Sequence, residues 1–477
     1  MSYLNRIRTI LSIGSLSLIG LTAPTLAQAL PSTPSDAQSV AQPVTNIQPL
    51  LPEFPLAPQA PVDLKIQKTQ ALSLNEAIAI AIQRSPNLLL SKLGVDRSQG
   101  QVKEADAGRL PTLETNAQYD YSKVSQATAQ NLSSGSQNSS SLTGSLLKAN
   151  WNVYTSGSVD ARIENAQQGL KNSALEVEKQ LQDLKVNVAR AYFKLQTEDG
   201  NVEIAQSAVR NAEASLKDAQ AQERAGVGTK FDVLRQQVQV ANTQQRLIQA
   251  QNNQLVAQRD LARELNFAKP TAVSARDPIE ESGSWNLSLD DSIFQAYAKR
   301  VELPQFIAQE QQAKAQEKLA YAQTGPQLGL SASIDSPNQF NSFDAPGVEL
   351  GFSLGVRFRW NFFDGGVAQG QAEQAVAAAK IARVNFINTD NQVRFEVEQQ
   401  FFTLQSSKER ISSARQAQVQ AEEALRLARL RFQAGVGTQT DVISTEDALT
   451  QAKVNLLQSV ITYNQSLVEL RRAVGIL

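Results

Sequence analysis

One unit written twice constrains this chain more than any other feature. Trp151-Asn152-Val153-Tyr154, followed by Gly157, returns 209 residues later as Trp360-Asn361-Phe362-Phe363 with Gly366. Ala225-Gly226-Val227-Gly228-Thr229, followed by Asp232-Val233, returns at the same spacing as Ala434-Gly435-Val436-Gly437-Thr438 with Asp441-Val442. Leu72-Ser73-Leu74 and Pro111 return as Leu287-Ser288-Leu289 and Pro326, 215 residues on, so the first copy has six extra residues between Pro111 and Trp151. The copies run over about 72–268 and 287–477, and 269–286, with Pro270, Pro278 and Gly283, joins them. Repeats of this length are whole supersecondary assemblies rather than solenoid units of ~20–50 residues.

Within each copy the apolar pattern has two periods. Between Gly157 and Glu223 there is no proline, and apolar residues recur every seven positions in two rows. One row is Leu170, Val177, Leu184, Ala191, Ala205, Ala212 and Ala219; the other is Ala174, Leu181, Val188, Leu195, Val202, Val209 and Leu216, and only Glu198 breaks the seam. This spacing predicts a coiled-coil helix, and the alanines imply close approach of a neighbour. At ~1.5 Å per residue it is ~100 Å long, about three times the ~30 Å hydrocarbon core of a bilayer. Val367 to Phe432 repeats the length with a looser, Ala-rich seam. Shorter helices over 87–109 and 230–267 together approach that length, so two of them stacked end to end fit beside a long one.

The other period is two, and it predicts strands at about 112–122, 142–154, 327–335 and 348–363. Leu113, Thr115, Ala117, Tyr119 and Tyr121 alternate with polar residues, as do Leu147, Ala149, Trp151 and Val153, and Leu328, Leu330, Ala332 and Ile334. The longest run puts Val348, Leu350, Phe352, Leu354, Val356, Phe358, Trp360 and Phe362 on one face, opposite Glu349, Ser353, Arg357, Arg359 and Asn361. Ten-residue strands that are apolar on one side are the signature of transmembrane β-barrels. Two soluble hairpins folded over a core would read the same way, but the long helices leave no layer to cover them. The connections, Lys123 to Ser141 and Ser336 to Gly347, are polar.

Four strands cannot close a sheet, and open edges in hydrocarbon are too costly to persist. Spanning strands therefore require association. Two chains give about eight strands, whose interior side chains fill; three give twelve, with room for a wet lumen that suits the small polar residues of the inner faces. Ring closure needs heterologous contacts.

The ends and the composition narrow the class further. Arg6 and Arg8, the apolar stretch Ile10 to Leu21 and the small-residue pattern Thr25-Leu26-Ala27 read as a signal peptide over 1–27; a membrane anchor is the alternative. Residues 28–70 carry eight prolines among Gln, Ser and Ala, and predict an extended spacer or a Pro-rich ligand segment. With no Cys and no His, the chain has no disulfide, thiolate, imidazole base or His/Cys metal site. The 45 basic and 46 acidic residues nearly cancel, which argues against nucleic-acid binding. We expect no enzyme activity, no catalytic residues, no cofactor and no metal.

The ordered set of motifs in both copies, over residues 72–477, resembles the TolC family of outer-membrane efflux channels. The resemblance implies an α+β membrane protein: a homotrimer with a twelve-stranded β-barrel, four strands per chain, continued by a periplasmic α-helical barrel. It implies a passive conduit of a tripartite efflux or type I secretion system, taking drugs, metabolites or secreted proteins from an inner-membrane transporter through a periplasmic adaptor protein, with outer membrane lipid around the barrel. A periplasmic adaptor is an alternative, but it needs no tandem hairpins with inserted strands. A structural or adhesive trimeric coiled coil is another, but it would not carry strands between its helices twice.

The resemblance also assigns sites. The tips at Ala225, Gly226, Val227, Gly228, Thr229 and at Ala434, Gly435, Val436, Gly437, Thr438 would dock the adaptor. Asp441, with Asp232 as its counterpart, would stand at the periplasmic aperture, where three copies make an acidic ring. From the residues alone, Thr229 and Thr438 read as helix N-caps with Asp232 and Asp441 completing capping boxes. The family's second acidic position falls on Ser444, its latch base on Gly437 and its latch aromatic on Phe432, so closure by that polar network is not expected. Trp151, Tyr154, Trp360 and Phe363 read as core residues or as aromatics at the membrane interface.

Overall fold

A computed structural model describes residues 68–123, 138–267, 271–339 and 350–477. The signal peptide, most of the Pro-rich segment and the tips of both strand connections lie outside these residues. The first copy runs β1 (Lys68–Leu72), α1 (Leu74–Arg84), α2 (Pro86–Ala107), β2 (Thr112–Lys123), β3 (Asn138–Tyr154), α3 (Ser158–Arg224) and α4 (Lys230–Glu264). The second runs β4 (Thr271–Ala275), α5 (Leu289–Lys299), α6 (Glu302–Ala322), β5 (Pro326–Gln339), β6 (Gly351–Trp360), α7 (Val367–Gln433) and α8 (Gln439–Val474). The order is the same in both, element for element.

The long helices α3 and α7 have 67 residues each. α2 and α4 lie along α3, and α6 and α8 lie along α7. α3 also packs against α6 and α8, so it bridges the two copies. Its seam is buried at Val188, Ala191, Leu195, Val202, Ala212 and Ala219, while Ala174 is exposed. Small residues set the closest approaches. A Cβ on Gly200 would sit 2.7 Å from a Leu457 methyl on α8, and one on Gly169 would sit 2.9 Å from Gln312 on α6.

β1 and β4 pair in parallel and tie the starts of the two copies together. Lys68 to Gln70, within the segment expected to be spacer, are therefore strand, and so is part of the inter-copy joint. Tyr192, buried on α3, fastens this joint. Its single hydroxyl proton is shared between the Leu72 carbonyl at 3.0 Å and Asp277 Oδ2 at 2.9 Å. Burial pushes that hydroxyl's pKa up to about 12, which keeps it a donor. Asn464 and Tyr463 on α8 hold the rest of the joint through Glu280, Ser282 and Gly283.

An ion cluster built around the buried Arg300 sits where α6 begins and α8 ends. Arg300 bonds Glu302 at 3.0 Å and Glu396 at 2.8 Å. Arg472 bonds Glu302 at 2.6 Å and Asp183 at 2.9 Å.

The four strands form one antiparallel sheet in the order β2-β3-β5-β6. The register puts Leu147, Ala149 and Trp151 of β3 opposite Ile334, Ala332 and Leu330 of β5, which in turn face Phe352, Leu354 and Val356 of β6. One face is thus apolar across three strands. β3 carries two extra residues, Leu146 and Val153, at register shifts. The alternation predicts Val153 on the apolar face after Trp151. At this bulge Tyr154 instead takes the place opposite Leu328. A bulge adds a residue without changing the local apolar content, so alternation alone does not reveal it. Two bounds also move: β3 begins at Asn138 and β5 runs to Gln339, inside segments read as connections. Phe362 and Phe363 lie beyond the end of β6.

Candidate functional site

Two places carry the residues the sequence singles out: the helix tips and the sheet. At the tips the local chemistry is complete. The Val227 and Gly226 amides donate to the Gln222 and Glu223 carbonyls, and Val436 and Gly435 donate to Arg431 and Phe432. This is a Schellman closure, and it needs a left-handed residue. Gly226 and Gly435 supply it, at φ +77° and +72°. Gly228 and Gly437 are glycine for a different reason. A Cβ on Gly437 would lie 3.1 Å from backbone atoms of Arg431 and Phe432.

The next helix starts at once. Thr438 Oγ1 accepts from the Asp441 amide at 3.2 Å, and Asp441 Oδ2 accepts from the Thr438 amide at 3.0 Å. Thr229 and Asp232 make the same reciprocal pair. Asp441 is held below the ordinary carboxylate range, first by the Thr438 backbone amide, then by the Thr438 hydroxyl, with help from Arg431. Ser444 stands one turn further along, exposed, its hydroxyl donating to the Asp441 carbonyl at 3.1 Å. Phe432 is buried with Ala219, Val233, Leu425, Val442 and Leu449 in the small core that joins the two tips. Val227 and Val436 stand out at 75% and 70% exposed.

Below the tips runs a polar seam that sequence reasoning missed. Gln439 donates to Gln236 at 2.6 Å, and Gln236 donates to the Ala212 carbonyl at 3.1 Å. Glu446 accepts from Ser215 and, at 3.0 Å, from Arg429. Gln236, Gln439 and Glu446 are all buried. The signal was present, since 439 and 446 are a heptad apart on α8.

At the sheet, Trp151, Tyr154, Trp360 and Phe363 all lie toward the end that leads into the helices, and all are exposed. The Trp151 indole donates to the Arg109 carbonyl at 3.0 Å, at the junction of α2 and β2. The apolar face is open: Phe352 and Leu354 are 77% and 76% exposed. The other face is polar. Lys148 pairs with Glu114 at 3.0 Å, and Asp335 accepts from Ser145 and Ser333. No described helix is long and apolar enough to cross a membrane, and no described cluster of acidic residues is arranged to hold a metal.

Residues 77–266 and 293–476 match the family model for Outer membrane efflux protein, one segment for each copy of the repeat. The chain belongs to that family. Among curated relatives, this outer membrane efflux protein is 25% identical to outer membrane protein TolC of Escherichia coli over 200 residues, 41% of this chain and 40% of that protein. It is 22% identical to outer membrane protein TolC of Vibrio cholerae over 414 residues, 85% of this chain and 91% of that one. Its fold matches the crystal structure of the outer membrane protein VceC from Vibrio cholerae with a TM-score of 0.69 and 22% identity, over 84% of this chain and 96% of VceC. The tandem α+β reading stands, and the chain is an outer-membrane efflux protein of the Gram-negative type with a periplasmic extension. The adaptor alternative is not favoured.

Proposed function

We propose that three copies close into one conduit across the outer membrane. The observation that carries this reading is the open sheet: four antiparallel strands whose edges, β2 and β6, have no partner among the described residues. β6 of one copy laid beside β2 of the next keeps the antiparallel alternation unbroken, and a closed ring leaves no edge. Three copies make twelve strands. The apolar face then meets lipid and the polar face lines the lumen. The reverse arrangement would turn Glu114, Lys148, Asp335, Arg357 and Arg359 toward lipid, a cost that for Arg or Lys is ~0–1 kcal/mol at the interface and rises with depth.

The helices support the same closure. α3 packs against short helices of both copies of the repeat, whereas α7 packs against α6 and α8 of its own. α7 leaves Ile381, Ile387, Phe395 and Phe402 exposed, and α4 leaves Phe231, Val238 and Ile248 exposed. These are the surfaces that α7 of one copy and α2–α4 of the next would cover.

The long helices carry the duct on for ~100 Å to the tips, where Val227 and Val436 offer apolar knobs to a periplasmic adaptor linked to an inner-membrane pump. Asp441, which its cap keeps ionised, is the candidate aperture charge, with Asp232 at the other tip and Ser444 one turn along α8 as further candidates. The cargo is whatever small molecule or polypeptide the pump delivers, and the conduit itself does no chemistry on it. Purified protein in a planar bilayer is the test. We expect discrete, long-lived conductance steps. Folded, trimeric protein that never conducts would overturn the channel reading.

A further inference from the structure

The polar face of the sheet distributes its charges unevenly. Glu114 and Lys148 pair with each other, and Asn150 also donates to Glu114. Asp335 is held by two serine hydroxyls. On β6, Arg357 and Arg359 share that face, two residues apart, and both are exposed. Neither has a hydrogen-bond or ion-pair partner in the described structure. The register explains why. Arg357 lies opposite Gly329, which has no side chain, and Arg359 lies opposite the neutral Gln327. The nearest acid on β5, Asp335, lies opposite Gly351, six residues before Arg357. At ~3.4 Å per residue that is ~20 Å away. The other flank of β6 is the edge that β2 of the next copy would cover, and Glu114 there is already held by Lys148 and Asn150 of its own chain.

We propose that Arg357 and Arg359 form a two-tier anion site on the lumen wall, at the barrel end nearest the helices, for small solutes carrying phosphate or carboxylate groups. This rests on the trimer reading, in which three copies bring six guanidinium groups to one belt. A guanidinium presents a planar fork of donors that matches phosphate and carboxylate oxygens two at a time. Among the described residues neither guanidinium is engaged in an ion pair, so the belt is free to draw counter-ions from the lumen. Its reach is the Debye length, about 10 Å at 0.1 M salt and about 3 Å at 1 M. The site therefore acts on passing anions at physiological salt and is screened at high salt.

The experiment is block of single channels of the full chain by inorganic triphosphate, added on both sides in KCl of about 0.1 M. We expect reversible, concentration-dependent block of the wild type. The R357Q/R359Q double variant should need about tenfold more triphosphate or worse, while R357K/R359K, which keeps the charge, should stay much closer to wild type. In KCl of about 1 M the block should fade in all of them. A wild-type channel that conducts without being blocked, or equal block in the wild type and the glutamine variant, overturns the proposal. If the double variant does not insert, R357Q and R359Q singly carry the same test. A wild type that never conducts contradicts the trimer reading instead, so the two failures are distinct.

Discussion

At the scale of single residues, each tip is a five-residue solution to two problems: ending a 67-residue helix and starting another at once. The first glycine supplies a left-handed backbone, the second supplies room, and the threonine–aspartate pair satisfies amides that would otherwise lack acceptors. Thr438→Ala removes one acceptor and should weaken the start of α8 by about 1 kcal/mol. Hydrogen exchange should show this as faster exchange confined to the tip, with the sheet unchanged; an unchanged tip would contradict it. The pH dependence has a definite sign. Asp441 has its carboxyl lowered in the fold from an ordinary value of 3.8. Its contribution is therefore fully present above that value and is lost as pH falls through the lower, folded one. The capping boxes were legible because they rest on four adjacent residues. The place of Phe432 was not. Whether it faces the aperture or the core depends on the phase of the supercoil, and the Ala-rich seam of α7 does not fix that phase.

At the scale of elements, helices and strands were legible wherever a period persisted: two for the sheet, seven for α3. What lay outside any period was not. β1 and β4 are five residues each and gain meaning only from pairing with one another across the chain. The bulges at Leu146 and Val153 leave the apolar count intact. The ion cluster of Arg300, Glu302, Arg472 and Asp183 reads in sequence as ordinary solvated helix charge, because nothing local says that the start of α6 meets the end of α8. Burial alone would raise the Glu302 carboxyl, but Arg300 and Arg472 more than offset it, and the carboxyl lies below its ordinary value. Glu302→Gln takes one charge from two largely buried guanidinium groups, while Arg300 keeps Glu396 and Arg472 keeps Asp183, so the loss should fall below the ~3–5 kcal/mol of a fully uncompensated buried charge. We expect a lower denaturant midpoint and faster exchange around 300–305 and 470–475. A variant as stable as the wild type would show that the cluster is only surface charge. Because the folded value is depressed, the contribution of Glu302 is present above the ordinary carboxylate range and lost as pH falls through the folded value.

At the scale of the whole molecule, the repeat specifies how copies meet. Glu164 on α3 bonds Lys318 on α6 at 2.7 Å, across the interface between the two halves of one chain. Moved by the two repeat spacings, 209 for the long helix and 215 for the short one, these positions are Glu373 on α7 and Lys103 on α2, again an acid and a base, and both are exposed. The account says that the interface inside the chain is reused between chains, so that Glu373 of one copy meets Lys103 of the next and the ring closes after three. The chain has no native cysteine, which makes the test clean. The variant carrying Lys103→Cys and Glu373→Cys, treated in membranes with a short bismaleimide, should run as a covalent trimer on a denaturing gel, while either single variant stays monomeric. A double variant that remains monomeric, or that forms open-ended ladders beyond three, would contradict the closed trimeric conduit.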